Sequence, residues 1–380
     1  MRGQADEQAP LFHVFNVEDR IRPDHPLRDI KRRVDRILDG MSGPFAEAYS
    51  RTGRPGVPPE RLLKALLLMA LYSVRSERQL CARIDTDLLF RWFLDLQPSE
   101  EVFDATTFTH NRQRLDDHDL TKTFFGAVVR EAITAGLCSE HFSVDGTLIE
   151  SFAAAKSFRP KDAADDEPKD PNGFQPRNVA VDFHGQKRTN DTHASRTDPE
   201  ARLYRKGRGQ EAKLAHMGHT LGENRHGLIV AVAVTEANGT AERTAALDML
   251  DDLKATHGVR PKTLGADKGY DDGEFYRAVE ARQIEPHVPL VKEPRDPAAV
   301  PCHKHRPGVE ARQRMKARMA SEGYRLSQKC RKKIEEGYGW LKAIGGLARS
   351  RVVGRWKLRQ VMDIAAAAYN LVRLRTLKPA

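Results

Sequence analysis

The stretch FSVDGTLIE, residues 142–150, decides how the rest of the chain is organised. Its strand-forming residues Phe142 to Val144 lead into Asp145, which is followed by Gly146 and Thr147. This pattern predicts a short buried strand that ends at Asp145 and brings its carboxylate to the edge of a sheet. Asp-Gly pairs are also common in turns, so a purely structural role for Asp145 stays open at this point. A chemical role requires further carboxylates that converge on it.

Length and cysteine usage bound the class of protein. The chain has 380 residues, which is enough for two or three domains of ordinary size. Its 4 cysteines are widely scattered, and the longest apolar run, Leu62 to Val74, is shorter than the roughly 20 residues that a membrane helix needs. We therefore expect a reduced, soluble, cytoplasmic protein without a membrane partner.

The net charge of +10 is unevenly distributed. From Cys302 to the C-terminus there are 20 Lys and Arg against 5 Asp and Glu, so this part carries +15 and the rest of the chain carries −5. Such a local excess suits a polyanion such as nucleic acid, because phosphates release counterions when cations bind them. A solvated charged helix is the alternative, since basic runs are common on protein surfaces.

The N-terminal third is predicted to be helical. Residues 1–23 are interpreted as an extended arm, whereas residues 24–138 repeat apolar side chains at spacings of three and four and form an all-helical domain. The segment TTFTHNRQRL, residues 106–115, would reach phosphates or base edges if it were a recognition helix. A surface helix of a bundle explains the same segment equally well. The candidate DNA-contacting residues in it are Asn111, Arg112 and Arg114.

The remainder alternates strands and helices, which predicts a mixed α/β (α+β) domain with helices on the faces of a mixed sheet. Residues 139–151 and 213–350 are assigned to this domain, and its strand near Pro261 to Ala266 ends at Asp267. The polar residues 152–212 between the two parts are interpreted as a flexible insertion. A basic helix is predicted at the C-terminal end, residues 351–380.

A third carboxylate lies in QKCRKKIEEGYGWLK, residues 328–342. Arg331 precedes Glu335 by four residues, Gln328 precedes it by seven and Lys342 follows it by seven, so the four are predicted to project from one face of one helix. Ion pairing on an exposed helix gives the same spacing. The neighbouring Glu336 points about 100° away and breaks the spacing to Lys342, which favours Glu335.

Together, Asp145, Asp267 and Glu335 would form a site of hard oxygen ligands from three separate elements. Such a site suits Mg²⁺ or Mn²⁺ better than Zn²⁺. Two of these ions about 3.5 to 4 Å apart can activate a water or a 3′-hydroxyl and stabilise the leaving oxygen of an in-line attack on phosphorus. The predicted chemistry is therefore the cleavage or transfer of a phosphodiester.

At this point the residues support a family resemblance. SVDGT around Asp145, LGADKGYD around Asp267 and the helix with Arg331, Glu335 and Lys342 closely resemble the DDE transposases of bacterial insertion sequences, particularly the insertion-sequence-five-like group. The likeness extends over nearly the whole chain. It includes GRPGVPPERLLKALLLMALYSVRSERQL, LLFRWFLDL, TTFTHNRQRL, NDTHASRTDPEARLYRKG and GHTLGENRHGLIVAV.

The resemblance implies an RNase H-like catalytic domain in which Asp145, Asp267 and Glu335 are the acidic, metal-binding triad. It also implies that Arg331 and Lys342 contact transposon-end DNA. The family pattern is often written as tyrosine, two residues, arginine, three, glutamate, six, lysine. Here Gln328 stands at the tyrosine position, which puts the tyrosine's contribution in doubt but not the metal site.

The implied enzyme binds the terminal inverted repeats of its own mobile element, cleaves the DNA and joins the 3′ ends to target DNA. Double-stranded DNA, Mg²⁺ or Mn²⁺ as a pair of ions, and a homodimer or higher multimer on the DNA are the expected partners, in the cytoplasm at the nucleoid. Two alternatives remain: a catalytically inactive DNA-binding regulator derived from a transposase, and a metal-dependent endonuclease without strand transfer.

Overall fold

The computed structural model of the chain describes residues 16–50, 52, 56–161, 188–205, 211–299 and 305–377. Most of the expected N-terminal arm lies outside these residues. The described chain begins with a run of helices, as the apolar spacing predicts. These helices are α1 (Val17–Arg20), α2 (Pro26–Asp39), α3 (Ser42–Ala48), α4 (Pro59–Leu71), α5 (Glu77–Thr86), α6 (Leu88–Phe93), α7 (Thr106–Asp117) and α8 (Leu120–Thr134).

Helix α4 is the centre of this helical region because its side chains are apolar nearly all round. Leu62, Leu63 and Leu67 are fully buried. Lys64 is also buried, and its ammonium group lies 2.5 Å from a carboxylate oxygen of Asp95, so a paired charge rather than a solvated one interrupts the apolar surface.

A six-stranded sheet follows. Its long strands alternate little between polar and apolar residues, because helices cover both faces. The strands of the chain are β1 (His141–Glu150), β2 (Phe158–Pro160), β3 (His193–Ser195), β4 (Arg202–Tyr204), β5 (Lys213–Glu223), β6 (Ile229–Glu236), β7 (Thr263–Gly265) and β8 (Glu285–His287). Strands β2 and β3 pair separately as a two-stranded sheet.

The order of the main strands is β6-β5-β1-β7-β8. The short strand β4 also pairs with β5, on the same edge as β6 but further towards the start of β5. Strand β5 runs antiparallel to β1 and to β6, whereas β7 and β8 run parallel to β1. Helix α9 (Ala241–His257) connects β6 to β7, and helix α10 (Gly273–Ala281) connects β7 to β8. This mixed sheet behind a helical N-terminal region is the RNase H-like fold expected from the sequence.

The described parts of segment 152–212 carry more regular structure than their polar composition predicts. Strands β2, β3 and β4 lie in it, and they are tied to the sheet by buried side chains. Asp198 accepts hydrogen bonds from the Ser151 hydroxyl at 2.7 Å and pairs with His216 at 2.8 Å. Residues 162–187 and 206–210 lie outside the described residues.

The C-terminal part is helical and closes the fold. It consists of α11 (Arg306–Arg318), α12 (Glu322–Cys330), α13 (Lys333–Ala343) and α14 (Arg355–Thr376). Among the helices of the described residues, none combines the length and apolar character that a crossing of the bilayer requires.

Helix α14 lies in the segment predicted to form a basic C-terminal helix, and it carries its positive charges near its ends. Its cations lie in its first and last turns, and the middle, from Ile364 to Leu371, is buried. The helix packs against α4 and α8 on one side and against β6 on the other. The reason is the apolar run IAAAAYNL, whose small side chains let neighbouring elements approach closely.

Three polar side chains within the buried part of α14 form hydrogen bonds with three different neighbours. Gln360 donates to the carbonyl of Arg112 on α7 at 2.9 Å, and the hydroxyl of Thr121 on α8 donates to Asp363 at 3.0 Å. Asn370 exchanges two hydrogen bonds with the backbone of Ile229 on β6, at 3.0 and 2.7 Å. These bonds fix α14 in rotation and register, because unpaired buried polar groups are costly.

Asp363 makes stability depend on pH. Burial raises its pKa from 3.8 to about 7, and the hydrogen bond from Thr121 offsets this only partly. Between these values the folded state keeps a proton that the unfolded state has lost, so the free energy of unfolding falls as pH rises and the loss is complete above pH 7.

We predict that Asp363→Asn raises the melting temperature relative to wild type more at pH 8 than at pH 5. Thermal unfolding at both pH values, with the exposed Asp248→Asn as control, checks this. An equal difference at both pH values would contradict it.

Candidate functional site

Two aspartates lie level with each other on neighbouring strands. Strands β1 and β7 are parallel and pair Ser143 with Gly265. Asp145 follows Ser143 by two residues and Asp267 follows Gly265 by two, and Asp267 keeps an extended backbone (φ −81°, ψ 177°). Their side chains therefore leave the same face of the sheet at the same level, on strands about 4.8 Å apart.

The position of Asp145 within its strand corrects the sequence prediction. Asp145 is not at a strand end but in the middle of β1, which continues through Gly146 to Glu150. The Asp-Gly pair makes no turn because β5 offers antiparallel partners along the whole segment, from Phe142 opposite Glu223 to Glu150 opposite Ala215. Asp267 does follow its strand, as predicted.

Helix α13 is clamped onto Asp145 by a buried tyrosine. The hydroxyl of Tyr338 donates to the carbonyl of Asp145 at 2.6 Å and also lies 3.3 Å from the carbonyl of Gly218 on β5. Burial, and next the charge of Asp145, raise the pKa of Tyr338 well above its usual value, so it remains a hydrogen-bond donor. The bond fixes the height of α13 over the two central strands.

The two glutamates of α13 face different surroundings. Glu335 lies in the first turn with an exposed side chain, three residues before Tyr338. Glu336 points to the other side, where its carboxylate lies 3.9 Å from the guanidinium group of Arg373 on α14. The structure thus brings Asp145 and Asp267 together and leaves Glu335 on the adjoining turn of α13.

The helix predicted to carry Gln328, Arg331, Glu335 and Lys342 on one face is divided in two, which is a further correction. Helix α12 ends at Cys330 and α13 begins at Lys333. Between them, Arg331 and Lys332 keep helical backbone angles, but the hydrogen bonds there span three residues, as in a tighter turn, from the Ile334 amide to Arg331 and from the Glu335 amide to Lys332. Only Glu335 and Lys342 therefore share a helix.

Gln328 has a structural role where the family pattern has a tyrosine. Its side-chain amide donates to the carbonyl of His287 at 2.6 Å and lies 3.5 Å from the carbonyl of Ala266, the residue before Asp267. It attaches α12 to the carboxyl ends of β7 and β8. The backbone that carries Asp267 is held by this contact.

The loop after Asp267 is fixed by a second aspartate. Asp271 receives two hydrogen bonds from Arg312 on α11, at 2.9 and 2.7 Å, and one from the Tyr276 hydroxyl at 2.9 Å. Burial acts to raise the pKa of Asp271, but the hydrogen bonds, first that from Arg312, outweigh it and leave the pKa lowered. Asp271 is thus a charged structural anchor.

Glu242, in the first turn of α9, lies beside the two aspartates and was missed by sequence reasoning. A Cβ built on Gly146 would overlap its side chain, 2.8 Å from the Glu242 Cγ, and a Cβ built on Gly269 would lie 3.6 Å from Oε2 of Glu242 and 3.0 Å from Oδ1 of Asp267. An acidic residue in a first helical turn is common because it complements the helix dipole, so the sequence gives no specific signal for it.

The donor set fits a hard divalent cation. Asp145, Asp267, Glu242 and Glu335 offer only carboxylate oxygens, which Mg²⁺ and Mn²⁺ prefer. Beside them, the hydroxyl of Tyr270 is buried without a hydrogen-bond partner. Within the described residues, however, no three His, Cys, Asp or Glu side chains lie close enough to hold an ion as they stand.

The three residues of α7 that the sequence predicts to contact DNA lie in different surroundings. Arg112 is buried and ion-paired with Glu77 of α5, so the structure removes it from the expected DNA-contacting set; it faces inwards because it closes the packing of α7 on its neighbours. Arg114 is exposed and stacks on the ring of Tyr49 at 4.6 Å. Asn111 accepts hydrogen bonds from both Tyr49 and Arg114, at 3.1 and 2.8 Å.

Lys342 lines an open groove of about 480 Å³ at the carboxyl end of β1. Arg349 and Arg351 line it as well, together with Phe152, which is 53% exposed. Lys342 follows Glu335 by seven residues on α13, or about 10 Å along the helix axis. The helix thus runs from the neighbourhood of the carboxylates to a groove with three cations and an exposed aromatic ring, features that suit a nucleic-acid strand.

Comparison with known families matches two parts of the chain. Residues 15–114 match a transposase domain (DUF772), and residues 173–371 match the transposase DDE domain. The second match covers more than half of the chain, and the chain belongs to this family of DDE transposases, which are DNA-transposing enzymes. Asp267 and Glu335 lie within the second match, whereas Asp145 lies between the two.

Solved structures give weaker likenesses. A pre-cleavage Mos1 transpososome is 12% identical, with 90% of this chain and 85% of that chain covered and a TM-score of 0.20. A Mos1 mariner paired-end complex with Mn is 11% identical, with coverages of 83% and 86% and a TM-score of 0.21. At such TM-scores these likenesses carry no argument about this chain. No curated protein gives a significant match.

The hydrogen bond from Tyr338 to Asp145 can be tested by removing one oxygen atom, that of the Tyr338 hydroxyl. We predict that Tyr338→Phe lowers the free energy of unfolding by about 1 kcal/mol, because the carbonyl of Asp145 loses a buried hydrogen bond. Chemical denaturation measures the change. The half-buried Tyr72→Phe serves as the control and should have a smaller effect; an equal loss in both variants would contradict the proposed clamp.

Proposed function

We propose that this transposase binds the terminal inverted repeats of its own insertion sequence, cleaves the DNA there and joins the freed 3′ ends to target DNA. One observation carries the proposal: Asp145 on β1 and Asp267 after β7 each follow the last paired residues of these two parallel strands by two positions, and the helix that bears Glu335 is bonded to the Asp145 carbonyl through Tyr338. The motifs around these residues further support membership of the insertion-sequence-five-like group.

Asp145, Asp267 and Glu335 are the residues that would hold one or, as we propose, two Mg²⁺ or Mn²⁺ ions. When bound, such ions activate the attacking water or 3′-hydroxyl and neutralise charge that develops on the phosphate. The contribution of the surrounding chain is position. Tyr338 fixes the backbone of Asp145, and the pair of Asp271 with Arg312 fixes the loop that begins at Asp267.

DNA contact is assigned to the groove at the carboxyl end of β1. Lys342 and Arg349 supply charge for backbone phosphates there, and Phe152 offers a ring on which an unpaired base can stack. Arg331 at the break between α12 and α13, and Asn111 and Arg114 on α7, are proposed as further contacts with the duplex.

The proposed working form is a homodimer or higher multimer that holds two transposon ends, because joining both ends of an element requires two active sites at one place. The helical region, residues 24–138, is proposed to take part in DNA binding and assembly. We expect this activity at the nucleoid in the cytoplasm.

Cleavage of a repeat end tests the proposal. Purified protein with labelled duplex from the ends of its own element, in Mg²⁺ or Mn²⁺, should nick the DNA and join it to a plasmid. Asp145→Asn, Asp267→Asn and Glu335→Gln should each lower the rate at least about a hundredfold, or roughly 2.7 kcal/mol of barrier. Glu336→Gln is the matched control and should keep most of the activity.

Each other outcome of this assay would support one of the alternative functions. Cleavage without joining of a supplied 3′-hydroxyl end would indicate an endonuclease, and specific binding of the repeat without cleavage would indicate a regulator. Unchanged activity in Asp145→Asn would overturn the assigned site.

The salt dependence of DNA affinity tests the proposed role of the groove separately. Lys342→Ala with Arg349→Ala should weaken binding to repeat-end duplex and reduce the slope of log affinity against log salt by about 1.8, because each phosphate contact contributes about 0.9. Fluorescence anisotropy over a range of KCl concentrations measures this. The control is Lys262→Ala, an exposed cation at the opposite end of β7. A slope that changes equally in the control would remove the groove from the DNA path.

A further inference from the structure

The backbone around the two aspartates is shaped to admit the Glu242 side chain. Gly146, next to Asp145, has no side chain at the point where the Glu242 carboxylate packs on β1. Gly269, two residues after Asp267, is open towards the carboxylates of both Asp267 and Glu242. A glutamate that only complemented the dipole of its helix would point into solvent and would not require the glycine at position 146.

The first turn of α9 is also fixed in place. The side chain of Asn238 accepts hydrogen bonds from the backbone of Thr240 at 3.0 Å and of Ala241 at 2.8 Å, which caps the helix. Arg243 forms an ion pair with Asp272 at 3.0 Å, so the residue next to Glu242 is attached to the loop that follows Asp267. Glu242 is thus held beside both aspartates by backbone and charge contacts on either side of it.

An independent observation points to a ligand at this place. Tyr270 is fully buried, and its hydroxyl has no hydrogen-bond partner. Burial, and next the nearby charge of Glu242, raise the pKa of Tyr270 well above its usual value, so the hydroxyl keeps its proton and remains a donor. An unsatisfied buried donor is costly, so the site is built for a further oxygen or for a rearranged carboxylate that accepts this bond.

We propose that Glu242 is a metal ligand of this transposase and that, with Asp145 and Asp267, it holds a divalent cation before DNA binds. The inference rests on the proposed function and adds to it a ligand outside the three-carboxylate pattern. The three carboxylates are not close enough to hold an ion as they stand, so binding requires a side-chain rotation, which the long Glu242 side chain allows. Glu335 is expected to contribute little at this stage because its side chain is exposed on α13.

Binding of Mn²⁺ alone tests this on the full-length protein without DNA. Electron paramagnetic resonance of free Mn²⁺ gives the dissociation constant. Glu242→Gln and Asp145→Asn should each weaken binding at least about tenfold. Glu335→Gln should have a smaller effect, and Asp248→Asn, an exposed carboxylate on the same helix, should have none. Circular dichroism and thermal unfolding show whether each variant is folded.

A second variant keeps all carboxylates. Gly146→Ala should displace Glu242 through its added Cβ and weaken Mn²⁺ binding, and Gly146→Ala combined with Glu242→Gln should be no weaker than Glu242→Gln alone, because both changes act on one group.

The outcomes separate this inference from the proposed function. Wild-type affinity in Glu242→Gln with a loss in Asp145→Asn overturns the role of Glu242 and leaves the transposition site in place. Absence of Mn²⁺ binding by the wild type at millimolar concentration overturns the inference, and the cleavage assay then decides the proposed function by itself. Additive losses in the double variant likewise contradict a shared cause.

Discussion

The pairing of β1 on both of its edges is the constraint on which the rest of the structure depends. On one edge, β5 pairs with β1 at nine positions, from Phe142 to Glu150, whereas on the other edge β7 pairs at only three. Pairing with β7 therefore ends two residues before Asp145, whereas pairing with β5 continues past it. A slip of one residue would turn Asp145 to the opposite face, so the long antiparallel register fixes the chemistry.

Helix α14 extends this constraint to the helical region. One hydrophobic cluster includes Leu67 of α4, Val128 of α8, Ala366 of α14 and Val230 of β6, so the helical region and the sheet share a core. Because α14 is fixed by polar contacts to α7, α8 and β6, neither layer can rotate without breaking a buried hydrogen bond. The DNA contacts proposed for the helical region would consequently keep a defined position relative to the carboxylates.

The elements that local pattern specifies were predictable from the sequence. The apolar helix α4, the apolar strand β6 and the strand before Asp267 follow from residue spacing alone. Tertiary contacts decided much of the rest: pairing with β5 carried β1 through Gly146, and the ion pair with Glu77 of α5 drew Arg112 inwards. Glu242 could not be found by spacing, because only the crossover from β6 to β7 brings α9 over Gly146.

The carboxylates of the site rest on supports of unequal rigidity, and the difference has an electrostatic reason. Carboxylates gathered in one place repel one another, so a site with all of them preassembled would oppose folding. The fold sets Asp145, Asp267 and Glu242 on fixed elements and leaves Glu335 on an exposed turn directly after three cations, Arg331 to Lys333. In the proposed function a phosphate backbone is drawn to those cations, and the turn that would bind it also carries Glu335. Arrival of the substrate and completion of the acidic site would then be coupled through one short stretch of chain.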